Sequence, residues 1–296
     1  MQRKRILRTK ERVIESFLLL SALSSIFITG CIVFVLFYEA AGFFKDVSVW
    51  EFLTGRQWTP LFAEPKFGIL PLVCGTLLVT SIAVIVALPI GLVVAVYLSE
   101  YAPFKVKEVA KPILELLAAV PTVVYGYFAL LFLTPILQTF IPNLSGFNAL
   151  SPGIIMGIMI IPYVSSVSED AMKAVPMQIR EGSYAMGGTK FQTAFKVVIP
   201  SAFSGIAAAF VIGISRAIGE TMVVAIAAGM MPNLTLNPIE PIQTLTAYIV
   251  GISLGDVPHG TLEYKTIFAA GITLFLMTLF LNILGFWFRK RIREVY

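Results

Sequence analysis

The chain has 296 residues, of which 57% are hydrophobic and 13% charged, with a mean hydropathy of +0.87 and a formal net charge of +5 at pH 7. Soluble domains carry about 25% charged residues, so this composition excludes an ordinary soluble enzyme and indicates a polytopic membrane protein. The cationic excess does not point to nucleic acid, because in a membrane chain the placement of Lys and Arg carries more meaning than their sum. Cys31 and Cys74 lie far apart in apolar segments and read as small hydrophobes. The single histidine, His259, leaves no metal centre to build.

In chain order, residues 1–16 form a basic N-terminus with Arg3, Lys4, Arg5, Arg8, Lys10 and Arg12. Residues 17–38 are an apolar run ending in aromatics with no small-residue cleavage site, which predicts a retained first transmembrane helix rather than a signal peptide. Residues 39–68 make an external loop whose Trp50 and Trp58 suit a membrane interface. Residues 69–288 hold five further spans, each near the ~20 apolar residues a bilayer requires. These cover 69–98 with Pro89, 113–140 with Pro121 and Pro135, 152–168 with Pro162, then 197–231 and 266–288. Prolines in spans kink the axis and free carbonyls that neighbours must satisfy. Residues 242–254 are too short to span and read as an outer-surface or re-entrant helix. Residues 289–296 are a basic tail with Arg289, Lys290, Arg291 and Arg293.

With six spans, the two termini share a side with Lys105, Lys107, Lys111, Lys173, Arg180, Lys190 and Lys196, whereas the other side receives only Lys45, Arg56, Lys66 and Lys265. The positive-inside bias makes both termini cytoplasmic.

The fifth span carries Arg216 and Glu220, although a charge at a helix centre costs roughly 2.5–3.5 kcal/mol on insertion scales. Read as one continuous helix, it places the two charges on one face, with Gly205, Ala209, Gly213 and Ala217 in the same arc. Small residues at that spacing admit another helix closely. Two readings stay open: an anion or proton site on a translocation path with Thr221 beside it, or a buried ion pair locking two helices. Thr76, Thr80 and Ser81 could line the path, though such hydroxyls commonly bond their own helix. Glu115 lies four residues from Lys111 and is assigned no site.

No P-loop, dinucleotide fingerprint, zincin helix or nucleophile elbow occurs; Gly187-Gly188-Thr189-Lys190 has neither the spacing nor the preceding strand of a P-loop. No catalytic residue and no enzyme are expected. The cytoplasmic segment from about 173 to 198 reads as two short helices around the Gly187-Gly188 corner.

Glu181, then Gly187 six residues later, then Val197, Ile199 and Pro200 resemble the E-A-A, three residues, G, nine residues, I-x-L-P signature of ABC importer permeases, with Gly182 and Ser183 in place of the two alanines. Phe67-Gly68-Ile69-Leu70-Pro71, Tyr97 to Pro103, Val120 to Gly126, Ser168 to Met172 and Arg216 to Met222 are similar to the PstC-type permease family of bacterial phosphate importers, from about Trp58 to the tail. This resemblance implies an all-α integral membrane protein of the type I ABC importer permease architecture, in the bacterial or archaeal cytoplasmic membrane. It further implies a PstA-like sister permease, a dimeric PstB-like ATPase holding ATP and magnesium, a PstS-like external phosphate-binding protein, and no cofactor on this chain. Glu181, Gly187 and Gly188 would couple to the ATPase. Arg216, Glu220 and Thr221 would serve translocation, with Glu220 tempering Arg216 so that phosphate passes rather than stays. The alternatives are a permease for sulfate or molybdate, an ion-coupled secondary carrier acting alone, and a membrane scaffold or sensor.

Overall fold

The computed structural model describes residues 2–292; the side chains of residues 1–10, 288, 289 and 291–296 lie outside the description, and with them most of the expected basic N-terminus and tail. Helices account for all the regular structure among the described residues, with two isolated bridges, Trp58 to Phe67 and Gly229 to Ile242. In order they are α1 (Gln2–Phe43), α2 (Val49–Thr54), α3 (Leu70–Val96), α4 (Phe104–Ala119), α5 (Thr122–Phe128), α6 (Thr134–Phe140), α7 (Leu150–Lys173), α8 (Met177–Ala185), α9 (Lys190–Thr193), α10 (Ile199–Ser201), α11 (Phe203–Gly219), α12 (Met222–Ala227), α13 (Leu245–Ser253) and α14 (Leu262–Ile292). By length and composition, Glu11–Phe43, Leu70–Tyr101, Thr122–Phe140, Leu150–Lys173 and Leu262–Trp287 suffice to cross a membrane, and a pair bent by 71°, Lys190–Ser201 with Phe203–Gly219, makes a sixth where it counts as one broken span.

Prolines shape these helices in two ways. Pro89 and Pro162 sit inside continuous helices. Pro103, Pro135 and Pro200 each follow a π turn, in which the residue just before the proline donates its N–H five residues back: Ala102 to Tyr97, Thr134 to Ala129, Ile199 to Ala194. A proline ring displaces the carbonyl four residues before it, and the wider turn gives the chain a way to continue.

Two expected spans differ in detail. The third begins at Thr122, because Val120 and Pro121 are extended and cut α4 from α5. Tyr125 and Tyr163 hold this break by donating hydroxyl hydrogen bonds to the Leu117 and Ala118 carbonyls at the end of α4. The fifth is not one helix: it bends at Ala202 and stops at Gly219.

The centre of the bundle is α7 packed against α3 and α11, and glycines set the distance. A Cβ added at Gly157 would stand 2.6 Å from Val86 Cβ, one at Gly91 2.8 Å from Val164 Cγ1, and one at Gly205 2.4 Å from Ala171 Cβ. The small-residue face of α11 therefore meets protein, with Ala209 and Ala217 buried. Outside this core, α1 is exposed along most of its length, its apolar side chains facing outward as for a lipid-facing helix, and it pairs with α14.

At the N-terminal ends of α3 and α14, Phe43, Phe52, Trp58, Phe67 and Tyr248 form an aromatic cluster with edge-to-face contacts. Trp58 is buried there rather than exposed at an interface, while Trp50 is 75% exposed. The start of α13 is likewise buried: Leu245 N–H donates to Thr76 Oγ1 on α3 and Thr244 caps the helix, which packs this segment against the bundle.

Replacing Gly157 by leucine is expected to destabilise the bundle by about 1–3 kcal/mol or more through overpacking against Val86. Gly146→Ala, where a Cβ would meet nothing within 4 Å, should leave stability unchanged; thermal unfolding in detergent compares the two.

Candidate functional site

The interruption of α11 determines where its charges go. Gly219 ends the helix, Glu220 is extended (φ −68°, ψ 133°), and α12 starts at Met222. Glu220 therefore leaves the helical face on which it would stand beside Arg216. Its Oε1 instead accepts hydrogen bonds from the Met222 and Val223 amides at 3.1 and 3.4 Å, and its carbonyl accepts one from the Thr246 hydroxyl at 2.7 Å. Free amides at a helix start favour a carboxylate, which explains the capture. Thr221 turns its hydroxyl onto the Gly219 carbonyl.

Among the described residues, the ion pairs within 4 Å are Lys111–Glu169, Lys173–Glu169 and Arg180–Glu100. Arg216 and Glu220 do not pair. The guanidinium carbon of Arg216 lies 4.0 Å over the centroid of Tyr163 on α7, and its Nε is buried with no hydrogen-bond partner. A cation is thus held in the bundle by a ring face rather than by a carboxylate. Of the candidate hydroxyls on α3, Thr76 and Ser81 bond their own helix at Leu72 and Leu77, whereas Thr80 Oγ1 is buried without a partner.

A second site lies beyond the C-terminal end of α7. α8 carries Arg180 inward and Glu181 outward. Arg180 donates from Nη1 to the Val175 carbonyl at 2.5 Å and from Nη2 to the Met172 carbonyl at 2.7 Å, and Nη2 also lies 3.1 Å from Glu100 at the end of the α3 span. The last carbonyls of a helix lack internal partners, and this side chain takes that of Met172 on α7 and that of Val175 just beyond it while binding α8 to the end of the α3 span. After α8 the chain turns at Gly187, whose φ of +81° suits a residue without Cβ. At Gly188 a Cβ would stand 2.8 Å from the Ser183 carbonyl, to which the Gly188 amide donates. A capping box between Thr189 and Gln192 opens α9, and Ser183 and Thr193 share a hydroxyl bond across the corner.

The result is a rigid knob of two short helices presenting Glu181, Gly182, Tyr184, Met186 and Gly187 outward; Met186 is 90% exposed. Sequence reasoning located the corner and missed Arg180 as its anchor. It also missed Tyr163 and Glu169: Glu169 takes Lys111 from α4 at 3.1 Å and Lys173 at 2.6 Å, so Lys111 pairs across helices and not with Glu115. An acidic pair, Glu169-Asp170, at the end of an apolar run was the available signal for Glu169. Nothing local marks Tyr163.

Arg180→Met would leave Glu100 buried and unpaired, a loss of roughly 3–5 kcal/mol for a broken buried pair. The expected outcome is faster proteolysis of the segment between Met177 and Lys190, partly reversed when Glu100→Gln removes the orphaned charge; equal cleavage of wild type and single variant would refute the anchoring role.

Comparison with known proteins places these features in a family. Residues 87–294 match the family described as "Binding-protein-dependent transport system inner membrane component". The chain is similar to the "Probable ABC transporter permease protein YqgH" of Bacillus subtilis, 37% identical over 234 residues that cover 79% of this chain and 75% of that one. It is also similar to the "Phosphate transport system permease protein PstC" of Mesorhizobium japonicum, 31% identical over 259 residues covering 80% and 78%. In fold it resembles a chain of a crystallised bacterial ABC transporter involved in the import of the acidic polysaccharide alginate, with a TM-score of 0.59 over 89% of this chain and 96% of the other at 15% identity. The chain therefore belongs to the binding-protein-dependent transport system inner membrane component family, as an all-helical permease subunit of the ABC importer kind.

Proposed function

We propose that this chain is the PstC-type permease of an importer that moves inorganic phosphate across the cytoplasmic membrane, driven by ATP hydrolysed in a partner. The observation that carries the reading is Arg216: a guanidinium inside the bundle, 4.0 Å from a tyrosine ring and paired with no carboxylate within 4 Å. Such a group offers a planar fork of donors that fits a tetrahedral oxyanion and keeps its charge at any physiological pH. The phosphate-transport name of the Mesorhizobium relative supports the choice of oxyanion.

In this account Arg216 meets the passing anion, while Glu220 and Thr221 form the helix interruption beside it. Glu220 acts there by capping α12, and its charge raises the energy of a lingering phosphate without neutralising the arginine directly. The knob bearing Glu181, Gly187 and Gly188 docks on a PstB-like ATPase, which supplies ATP and magnesium; this chain binds no cofactor and catalyses no reaction. A PstA-like permease completes the pathway and a PstS-like binding protein delivers phosphate from outside. Both termini, and the knob with its surrounding cations, face the cytoplasm.

Reconstituted with these partners, Arg216→Ala should lower ATP-dependent phosphate uptake by roughly 10- to 100-fold, the worth of one or two charge-assisted hydrogen bonds, with the complex still assembled. Gly187→Asp should instead weaken ATPase association or coupling. Uptake that persists in Arg216→Ala would make this arginine structural and move the pathway to other helices.

A further inference from the structure

An arginine that attracts an anion inside a helical bundle has conflicting needs. Its charge has to be stabilised away from water, yet a carboxylate partner would quench the attraction and occupy the donors an oxyanion uses. We infer that Tyr163 resolves this conflict as the positioning residue that presents the Arg216 guanidinium to the anion; the inference rests on the role given to Arg216 above.

Three observations carry it. First, the contact is through the guanidinium carbon, 4.0 Å over the ring centroid. The ring quadrupole stabilises a cation without cancelling it, and a guanidinium's N–H bonds lie in its own plane, so stacking on the face leaves the edges for oxygen acceptors. Arg216 Nε is buried with no hydrogen-bond partner among the described residues, so the ring contact is what holds this end of the guanidinium. Second, the ring is itself fixed: Tyr163 follows Pro162 on α7, its neighbour Val164 is fully buried, and its hydroxyl donates to the Ala118 carbonyl at 3.3 Å. Third, Tyr163 lines a cavity of about 430 Å³ between α4 and α7 that also contains Glu115, Glu169 and Asp170, and Arg216 is not among its lining residues. Of the carboxylates there, Glu169 is already held by Lys111 and Lys173, so the ring face is the contact that holds the guanidinium, and weakening it would let Arg216 leave the position in which it meets an anion.

The test changes the electronics of the ring while keeping its shape. Position 163 is filled with phenylalanine and then with phenylalanines carrying one, two and three ring fluorines, each complex is reconstituted with its partners, and phosphate uptake is measured together with ATP hydrolysis driven by phosphate-loaded binding protein. Phosphate carried per ATP should fall stepwise along the series, by roughly three- to tenfold from first to last given the usual strength of a partly desolvated cation–π contact, while assembly and ATP hydrolysis hold. A purely structural ring would give a flat series, and that result overturns the proposal. Arg216→Ala run alongside separates the two possible failures. Unchanged uptake in it removes the anion role of Arg216 and this proposal with it. Lost uptake in it, together with a flat fluorine series, removes the role of Tyr163 alone.

Discussion

The close approach of α7 to α3 and α11 is the constraint on which the rest of the molecule depends. Glycines on α3, α7 and α11 allow it, since a methyl group at Gly91, Gly157 or Gly205 would fall within 2.8 Å of a side-chain atom on the facing helix. In a membrane no hydrophobic force drives helices together, so packing distance is itself the source of stability. With its position fixed, α7 carries three further contacts along its length: Tyr163 under Arg216, Glu169 between Lys111 and Lys173, and the Met172 carbonyl under Arg180. From Tyr163 to Met172 is about 14 Å along a helix axis. One continuous helix thereby joins the arginine in the bundle to the anchored knob at its end.

Polar groups in this bundle are disposed of locally wherever possible. Glu220 is absorbed by the first amides of α12 and Thr76 by its own helix and the start of α13. Arg180 takes two carbonyls and a carboxylate at once. Arg216 is handled differently: its contact is a ring face, with no carboxylate within 4 Å among the described residues, and the proposed function assigns its charge to an incoming anion.

Much of this was legible in the chain. Hydropathy marked the same apolar stretches that form the long helices, although the third starts only at Thr122 and the fifth stops at Gly219; the small-residue spacing on α11 identified the face that meets α7, and the glycine pair placed the corner of the knob. Two kinds of information were not local. Whether residues 197–231 form one helix depends on backbone choices at Ala202 and Gly219 that periodicity does not register, and the expected adjacency of Arg216 and Glu220 on one face, with the ion-pair alternative it left open, rested on that continuity. Contacts such as Tyr163 with Arg216, or Lys111 with Glu169, join residues 53 and 58 positions apart and follow from packing that no short stretch encodes. The burial of Trp58 has the same origin, because its neighbour Tyr248 comes from α13 far along the chain.

The most direct measurement of the central claim is transport by the unaltered complex in proteoliposomes: accumulation of labelled phosphate with ATP present, in competition with excess sulfate or molybdate. The account predicts accumulation that requires both the ATPase and the binding protein and is insensitive to either competitor. Equal carriage of sulfate or molybdate, or accumulation by this chain without its partners, would contradict it.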